Sequence, residues 1–256
     1  MPAAEREERL QRNLAQVRAT IAGACGRSGR DPTAVRLVAV TKYAELDTIR
    51  ALLEAGVWEL GENRVQQLTA RAQALGAANV NLFAPDPVAV GVPRWHMVGH
   101  LQRNKVKALL RHTRILHSLD SLRLAKELEK QAEKLAVTLD AFLELNVAGE
   151  QAKSGAPVTE AVALAEAVRE CPHIRLHGLM TMPPFDPDPE AARPHFARLR
   201  ALLEQLQRCG TVGSDCVHLS MGMSIDYAVA VEEGATFVRI GSALFEGIER
   251  GPSGPG

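Results

Sequence analysis

One lysine and two glycine- and serine-rich segments are the residues of this chain best suited to chemistry. Lys42 directly follows Thr41 at the end of the apolar run VRLVAV (35–40). Partial withdrawal from water makes a lysine amine a competent nucleophile toward an aldehyde. Lys42 is therefore a candidate for forming a Schiff base, although an exposed lysine at the start of a loop would give the same pattern.

The two glycine- and serine-rich segments lie near the end of the chain, in HLSMGMSID (218–226) and VRIGSALFEG (238–247). Glycines let backbone N–H groups approach a ligand closely, seryl hydroxyls add donors, and a helix N-terminus favours an anion. Both segments together predict a phosphate site, for which ordinary turn glycines and helix-capping serines are the alternative. The residues concerned are Ser220, Gly222, Ser224, Gly241 and Ser242.

Arg239 lies between Val238 and Ile240 in an apolar run, so its side chain should point away from both neighbours. An arginine that points into a folded core needs a partner there. An arginine that points toward a surrounding helix layer needs an acidic residue on that layer. The sequence leaves both orientations open.

Four further polar residues follow apolar runs. Glu62 and Asn63 could bond a ligand substituent or cap the next helix. His96 and His100 could carry protons or serve as hydrogen-bonded packing residues, and packing is favoured for at least one of them. A metal site is not expected, because no ligand pair has a characteristic spacing with a carboxylate partner.

Eight short apolar runs alternate with amphipathic segments and are expected to be strands. Strand–helix alternation requires parallel strands joined by right-handed crossovers, and eight units close a barrel without edges. A single TIM-type (β/α)8 barrel is predicted; an open doubly wound sheet is the alternative, but the first run ends in AVTKY rather than a GxGxxG turn. Segment 3–29 is expected to be an extra helix. The runs are 35–40, 57–62, 94–99, 114–119, 140–147, 174–180, 216–221 and 237–242.

Composition narrows the class of protein further. The 256 residues suit one domain over 1–247 with a flexible tail over 248–256. Thirty basic residues balance thirty acidic ones, so no overall field favours nucleic acid or an anionic membrane. Four scattered cysteines and the lack of a signal-like apolar run predict reduced thiols and a cytoplasmic location.

Motifs along residues 10–247 resemble those of the pyridoxal phosphate homeostasis proteins, the YggS/PROSC type of pyridoxal 5′-phosphate (PLP)-binding protein. Two departures stand out: Ile225 occupies a position that is usually acidic, and Thr41 one that is commonly Ser. The motifs that carry the resemblance are AVTKY (39–43), LGENRVQQL (60–68), WHMVGHLQRNK (95–105), VAGEQAKSG (147–155), HGLMTM (177–182), LSMGMS (219–224) and VRIGSALFEG (238–247).

The resemblance implies a fold-type III PLP barrel like the N-terminal domain of alanine racemase. It implies that Lys42 forms the Schiff base with PLP and that Arg239 faces the pyridine nitrogen. Asn63 lies in a matching motif and is carried over as a further cofactor contact. The residues implied to hold the phosphate are Ser220, Met221, Ser224, Gly241 and Ser242.

The function that the resemblance implies is PLP homeostasis: holding the reactive aldehyde and passing it to apo-enzymes without robust catalysis. A PLP-dependent racemase or lyase using Tyr43 or His96 as a second base is one alternative. Another is a barrel enzyme on a phosphorylated metabolite with Lys42 merely cationic. No residues after the barrel could build the second domain of alanine racemase, which argues against a two-base racemase and favours a monomer.

Overall fold

The computed structural model describes residues 1–83, 92–149 and 154–248, in which strands and helices alternate. The strands are β1 Arg36–Val40, β2 Glu59–Glu62, β3 Arg94–Met97, β4 Ile115–Leu119, β5 Leu139–Asn146, β6 Ala156–Pro157, β7 Ile174–Met180, β8 His218–Ser220 and β9 Phe237–Ile240. The α-helices are α1 Ala3–Ser28, α2 Leu46–Glu54, α3 Val65–Leu75, α4 Val106–Leu109, α5 Leu122–Leu135, α6 Ala161–Arg169, α7 Arg193–Arg208 and α8 Tyr227–Glu232.

Eight of these strands form a closed parallel barrel. Their order is β4-β3-β2-β1-β9-β8-β7-β5, and pairing of β4 with β5 closes the circle. The two-residue β6 pairs with the end of β5 outside that circle. Each of the eight predicted runs overlaps one barrel strand, so the predicted (β/α)8 barrel is confirmed. Parallel closure places all the strands' carboxyl ends at one face, where a barrel builds its site.

Helix α1 confirms the extra N-terminal helix and ends at Gly29, which has a φ of 66° in the left-handed region. It packs against α2 and α8. Since β9 lies between β1 and β8, α1 covers the barrel where a helix after β9 would lie. Its buried apolar residues are Leu10, Leu14, Val17, Ile21, Ala24 and Cys25.

Leu82 closes the amino end of the barrel. It lies between α3 and β3, is fully buried, and packs in the interior cluster that contains Phe142 and Phe237. Arg36 and Arg94 donate hydrogen bonds to its carbonyl oxygen, and its N–H donates to Asp140. Each of these partners lies at or near the start of a strand. The amino end is therefore filled by a side chain whose own backbone is held by the strands.

The end of the described chain remains part of the barrel. Ile248, which the sequence assigns to the tail, is buried, and residues 249–256 lie outside the described ranges. Asn13 on α1 donates to the carbonyl oxygens of Leu244 and Glu246, at 3.0 and 2.9 Å, and so holds the segment after β9. Among the helices described, none has the length and apolar content needed to cross a bilayer.

Candidate functional site

A cavity of about 480 Å³ lies at the carboxyl ends of the barrel strands. This volume falls within the range of roughly 300–1,000 Å³ that is usual for small-molecule pockets. Segments following β1, β2, β3, β7, β8 and β9 contribute to its walls. It brings together six of the eight residues that the resemblance assigns to the cofactor: Lys42, Asn63, Ser224, Arg239, Gly241 and Ser242.

Lys42 lies two residues after the end of β1 and is half-buried at the cavity wall. Its Nζ lies 4.9 Å from the centre of the Tyr43 ring, which is itself 43 % exposed. A cation over an aromatic face is weakly attracted to it. This contact leaves the amine at the cavity, where a small molecule can reach it.

The backbone that carries Lys42 is clamped by two side chains of α3. Gln67 Nε2 donates to the Lys42 carbonyl oxygen at 2.8 Å. Arg71 donates to the carbonyl oxygens of Thr41 and Ala44 at 2.7 Å each. Gln67 and Arg71 are four residues apart and therefore lie on the same face of the helix. Three carbonyl groups of this short turn are thus fixed from one helix.

Glu62 holds Arg71 in place. It neither lines the cavity, where it could bond a ligand, nor caps the next helix. Its Oε1 accepts hydrogen bonds from Thr41 and Arg71, and the Glu62 carboxylate of this ion pair is fully buried. Burial raises the pKa of the Glu62 carboxyl, against the opposing charge of Arg71 and the bonds from Thr41 and Arg71. Glu62 is not among the cavity residues and holds the Lys42 turn through its partner.

Asn63 lies at the cavity wall with one polar atom unused. Its Oδ1 is buried and has no hydrogen-bond partner in the described part of the chain. A Cβ on Gly99 would collide with the backbone of Asn63, so glycine is required where the β3 loop passes this residue. A buried unbonded carbonyl oxygen is costly unless a ligand donates to it.

The segments after β8 and β9 meet at Ser224. The backbone N–H groups of Gly241 and Ala243 both donate to Ser224 Oγ, each at 3.2 Å. Gly222 has a φ of 90°, and a Cβ there would lie 2.5 Å from the Cβ of Ala230. Both amide protons are used in these bonds, which leaves the Ser224 hydroxyl proton to donate to a ligand at the cavity.

The departure at Ile225 leaves the local structure intact. Ile225 is exposed, while Asp226 Oδ1 accepts a 2.6 Å hydrogen bond from the Met223 N–H. Helix α8 begins directly afterwards, at Tyr227. The carboxylate that closes this turn is therefore supplied by the next residue.

Arg239 points into the barrel, which resolves the orientation that the sequence left open. It is 3 % exposed, and it donates to Ser220 Oγ at 2.7 Å and to the Thr181 carbonyl oxygen at 3.0 Å. Burial lowers the pKa of Arg239 to about 10, against the opposing charges of Glu144 and Asp226. The guanidinium remains a cation at neutral pH and borders the cavity.

Ser220 and Met221 are fully buried and do not line the cavity. The Ser220 hydroxyl is bonded to Arg239 and also lies 2.7 Å from His117 Nδ1. It is already engaged inside the barrel, so the phosphate contact assigned to it stays a prediction. His117, which sequence reasoning missed, could have been suspected only as a polar residue within the apolar run of β4.

The other histidines at strand ends do not line the cavity. His96 is buried and bonds His117 and Glu59, whereas the exposed His100 lies 3.1 Å from Asp120. The sequence favoured a packing role for at least one of His96 and His100, and His96 has that role. In the described ranges no three His, Cys, Asp or Glu residues are grouped as a metal site would require.

Residues 7–248 match the family described as alanine racemase, N-terminal domain. The pyridoxal phosphate homeostasis protein of Aquifex aeolicus is 40 % identical over 238 residues, covering 93 % of this chain and 96 % of the relative. The chain belongs to the pyridoxal phosphate homeostasis protein family.

Solved structures agree with this family assignment. A protein from Bifidobacterium adolescentis matches with a TM-score of 0.85 and 33 % identity, covering 94 % of this chain and 96 % of that one. PipY of Synechococcus elongatus, with PLP bound, matches with a TM-score of 0.74 and 29 % identity, covering 92 % and 99 %. The relatives of this family are named for homeostasis of PLP, and the cavity supplies the groups that PLP needs. An amine for its aldehyde, gathered amides for its phosphate and the unbonded Asn63 Oδ1 all fit that cofactor.

Proposed function

We propose that this chain binds PLP as a Schiff base on Lys42 and takes part in PLP homeostasis, holding or supplying the cofactor. The observation that carries the proposal is the cavity itself. It places Lys42 and the amide-lined turns around Ser224 in one space large enough for a small aromatic phosphate. When bound, PLP supplies an aldehyde that reacts with an amine and a ring that can draw electrons from it.

Each side of the cavity has its own task in this proposal. Lys42 is held for reaction by the clamp from Gln67 and Arg71. The phosphate accepts a hydrogen bond from the Ser224 hydroxyl and replaces Ser224 Oγ as the acceptor of the Gly241 and Ala243 N–H groups. The exposed Ser242 lies at the same cavity and can add a hydroxyl. Ser220 and Met221 support this loop from below the cavity wall rather than from within it.

Arg239 favours a carrier over an enzyme. A guanidinium donates hydrogen bonds and accepts none, so a pyridine nitrogen that faces it must stay unprotonated. An unprotonated ring is a weaker sink for electrons than a ring paired with a carboxylate. We therefore infer little turnover of amino acids, delivery of PLP to apo-enzymes, and action as a cytoplasmic monomer.

A racemase or lyase is the second candidate, because Tyr43 lies beside Lys42 at the same cavity. A phenol on that side could exchange a proton with a substrate bound near the lysine. Sustained turnover of an amino acid, abolished in Tyr43→Phe with PLP still bound, would favour this candidate over the carrier.

The deciding experiment is an absorption spectrum of the purified protein with added PLP, before and after borohydride, followed by peptide mapping. The proposal expects a near-visible band that bleaches on reduction and leaves a pyridoxyl group on Lys42. Lys42→Ala should lack the band, while Lys107→Ala, at an exposed lysine on α4, should keep it. A wild-type protein that shows no band with excess PLP would sink the proposal.

A further inference from the structure

A chain of hydrogen bonds crosses the interior of the barrel from the cavity to the opposite end. Arg239 Nη1 donates to Ser220 Oγ at 2.7 Å, and Ser220 Oγ lies 2.7 Å from His117 Nδ1. His117 Nε2 lies 2.9 Å from His96 Nδ1, and His96 Nε2 lies 2.7 Å from Glu59 Oε2. Five strands each contribute one residue to this chain.

The two charged ends fix the direction of every donor in between. Arg239 can only donate, so Ser220 Oγ accepts from it and is free to give its own proton to His117 Nδ1. At the far end a carboxylate of Glu59 can only accept, so His96 Nε2 carries a proton. If both imidazoles are neutral, His117 must carry its proton on Nε2 and donate it to His96 Nδ1. Every hydrogen bond of the chain then has one donor and one acceptor.

The surroundings favour a neutral imidazole at His117. His117 is fully buried, its ring stacks on Phe142 at 4.5 Å, and the edge of Phe237 lies nearby. Burial lowers the pKa of His117 well below its ordinary value, and the neighbouring charge of Arg239 lowers it further. Near the end of the chain the charged groups are Glu59, Arg94 and Arg36. Burial alone would raise the pKa of Glu59, but its bond to His96 and these charges bring it below its usual value.

We propose that His117 is a positioning residue for Arg239: by accepting a hydrogen bond from the Ser220 hydroxyl at Nδ1, it leaves Ser220 Oγ as the acceptor for Arg239 and so holds the guanidinium at the cavity. The inference rests on the proposed function, because the group that Arg239 would face is the pyridine nitrogen of PLP. A guanidinium held by Ser220 and the Thr181 carbonyl oxygen has little freedom to turn away from that nitrogen. The electronic state of the bound cofactor therefore depends on a histidine that does not line the cavity.

The first test needs no cofactor, and it uses variants only to assign the signals. Nitrogen-15 NMR of the histidine rings in the apo-protein at neutral pH distinguishes protonated from unprotonated ring nitrogens. The proposal expects His117 and His96 to be Nε2–H tautomers, assigned through His117→Asn and His96→Gln. A proton on His117 Nδ1 would overturn it, since His117 would then donate to Ser220 rather than accept.

The second test measures PLP binding by absorption titration. His117→Phe keeps a ring against Phe142 but removes the acceptor, and is expected to weaken PLP affinity about tenfold and move the near-visible band. His117→Asn places an amide oxygen near the position of Nδ1 and should restore affinity to within about twofold of wild type. His218→Phe is the matched control, because His218 lies in the same barrel and bonds Thr236 rather than this chain.

Thermal melts of each variant establish that it folds. A folded His117→Phe with the wild-type affinity and the wild-type band would overturn the positioning role while leaving the proposed function intact. A wild-type protein that binds no PLP would overturn both, and the two failures are therefore distinguishable.

Discussion

The two ends of this barrel both contain buried or half-buried charged residues, yet the two ends have different roles. At the amino end Leu82 fills the interior, and Arg36, Arg94 and Asp140 bond its backbone. At the carboxyl end the strands surround a cavity of about 480 Å³. There the Lys42 side chain lies at the cavity wall, and the buried Asn63 Oδ1 has no hydrogen-bond partner among the described residues.

The difference shows that the density of charged residues does not identify a site. Asp140 bonds the Leu82 N–H and His177, so the amino end uses its carboxylate as a structural acceptor. The carboxyl end also has structural charges, such as the Glu62–Arg71 pair, but these serve to hold other groups at the cavity. What separates the ends is that Leu82 fills one of them, whereas the other leaves a cavity beside its polar side chains.

The largest expected effect comes from breaking the clamp on the Lys42 turn. Arg71→Met would leave the buried Glu62 carboxylate without its cation, which costs about 3–5 kcal/mol of unfolding free energy. Urea unfolding of the apo-protein measures this loss, and PLP titration should show weaker binding because the turn loses its support. The double variant Glu62→Leu with Arg71→Met should recover part of the stability, since no unpaired charge remains.

Arg50→Met is the control for the clamp. Arg50 pairs with Asp47 on the surface of α2, and the loss of an exposed pair costs at most about 1 kcal/mol. If Arg71→Met were no more destabilising than Arg50→Met, the buried pair would not be holding the turn.

A slightly smaller loss of stability is expected at the opposite end. Leu82→Ala removes a fully buried side chain from the interior and should cost about 3 kcal/mol of unfolding free energy. Because Leu82 lies far from the cavity, the amount of PLP bound at saturation should not change. Leu122→Ala, at a residue that is 44 % exposed, is the control and should cost much less. Loss of PLP binding in a folded Leu82→Ala protein would contradict the separation of the two ends.

The amino end should also respond to acid. Burial lowers the pKa of His218 from 6.5 to about 4, with help from the charges of His177 and Arg36. Below pH 6.5 the unfolded chain takes up this proton before the folded one, so stability is lost as the pH falls from about 6.5 to about 4. The loss from this group is at most about 3 kcal/mol.

Urea unfolding at pH 7 and pH 4.5 measures that loss. The decrease in unfolding free energy should be smaller for His218→Gln than for wild type, while His100→Gln, at an exposed histidine, should follow wild type. Equal decreases in wild type and His218→Gln would show that this histidine does not contribute to acid sensitivity.

The elements of the fold could be predicted from the sequence because their signals are local. Runs such as VRLVAV (35–40), separated by amphipathic helices, determine strands and crossovers, and parallel closure then places their carboxyl ends together. The same rule predicts from the sequence alone that Lys42 and the loop around Ser224 lie at one face of the barrel. The Leu82 plug had no such signal, since it lies in a segment without periodicity.

The supporting residues of the site could not be predicted for the same physical reason. Gln67 and Arg71 are polar residues on a helix, and nothing in the spacing says that this face turns back over β1. His117 lies in a strand that is buried on both faces, so alternation does not show which side it faces. Tertiary packing decides these contacts, and it also engaged Ser220 inside the barrel.

The smallest expected effect on stability is that of Asn63→Ala, which tests whether the unbonded Oδ1 of Asn63 contributes to PLP binding. Asn63→Ala removes a buried Oδ1 that has no hydrogen-bond partner among the described residues, so unfolding free energy should change by less than about 1 kcal/mol. PLP affinity should fall about three- to tenfold if the bound cofactor donates to this atom. Asn104→Ala, at an exposed asparagine, should change neither quantity. A destabilised Asn63→Ala protein with unchanged PLP affinity would make Asn63 structural, and the carboxyl end would then resemble the amino end more than the cavity suggests.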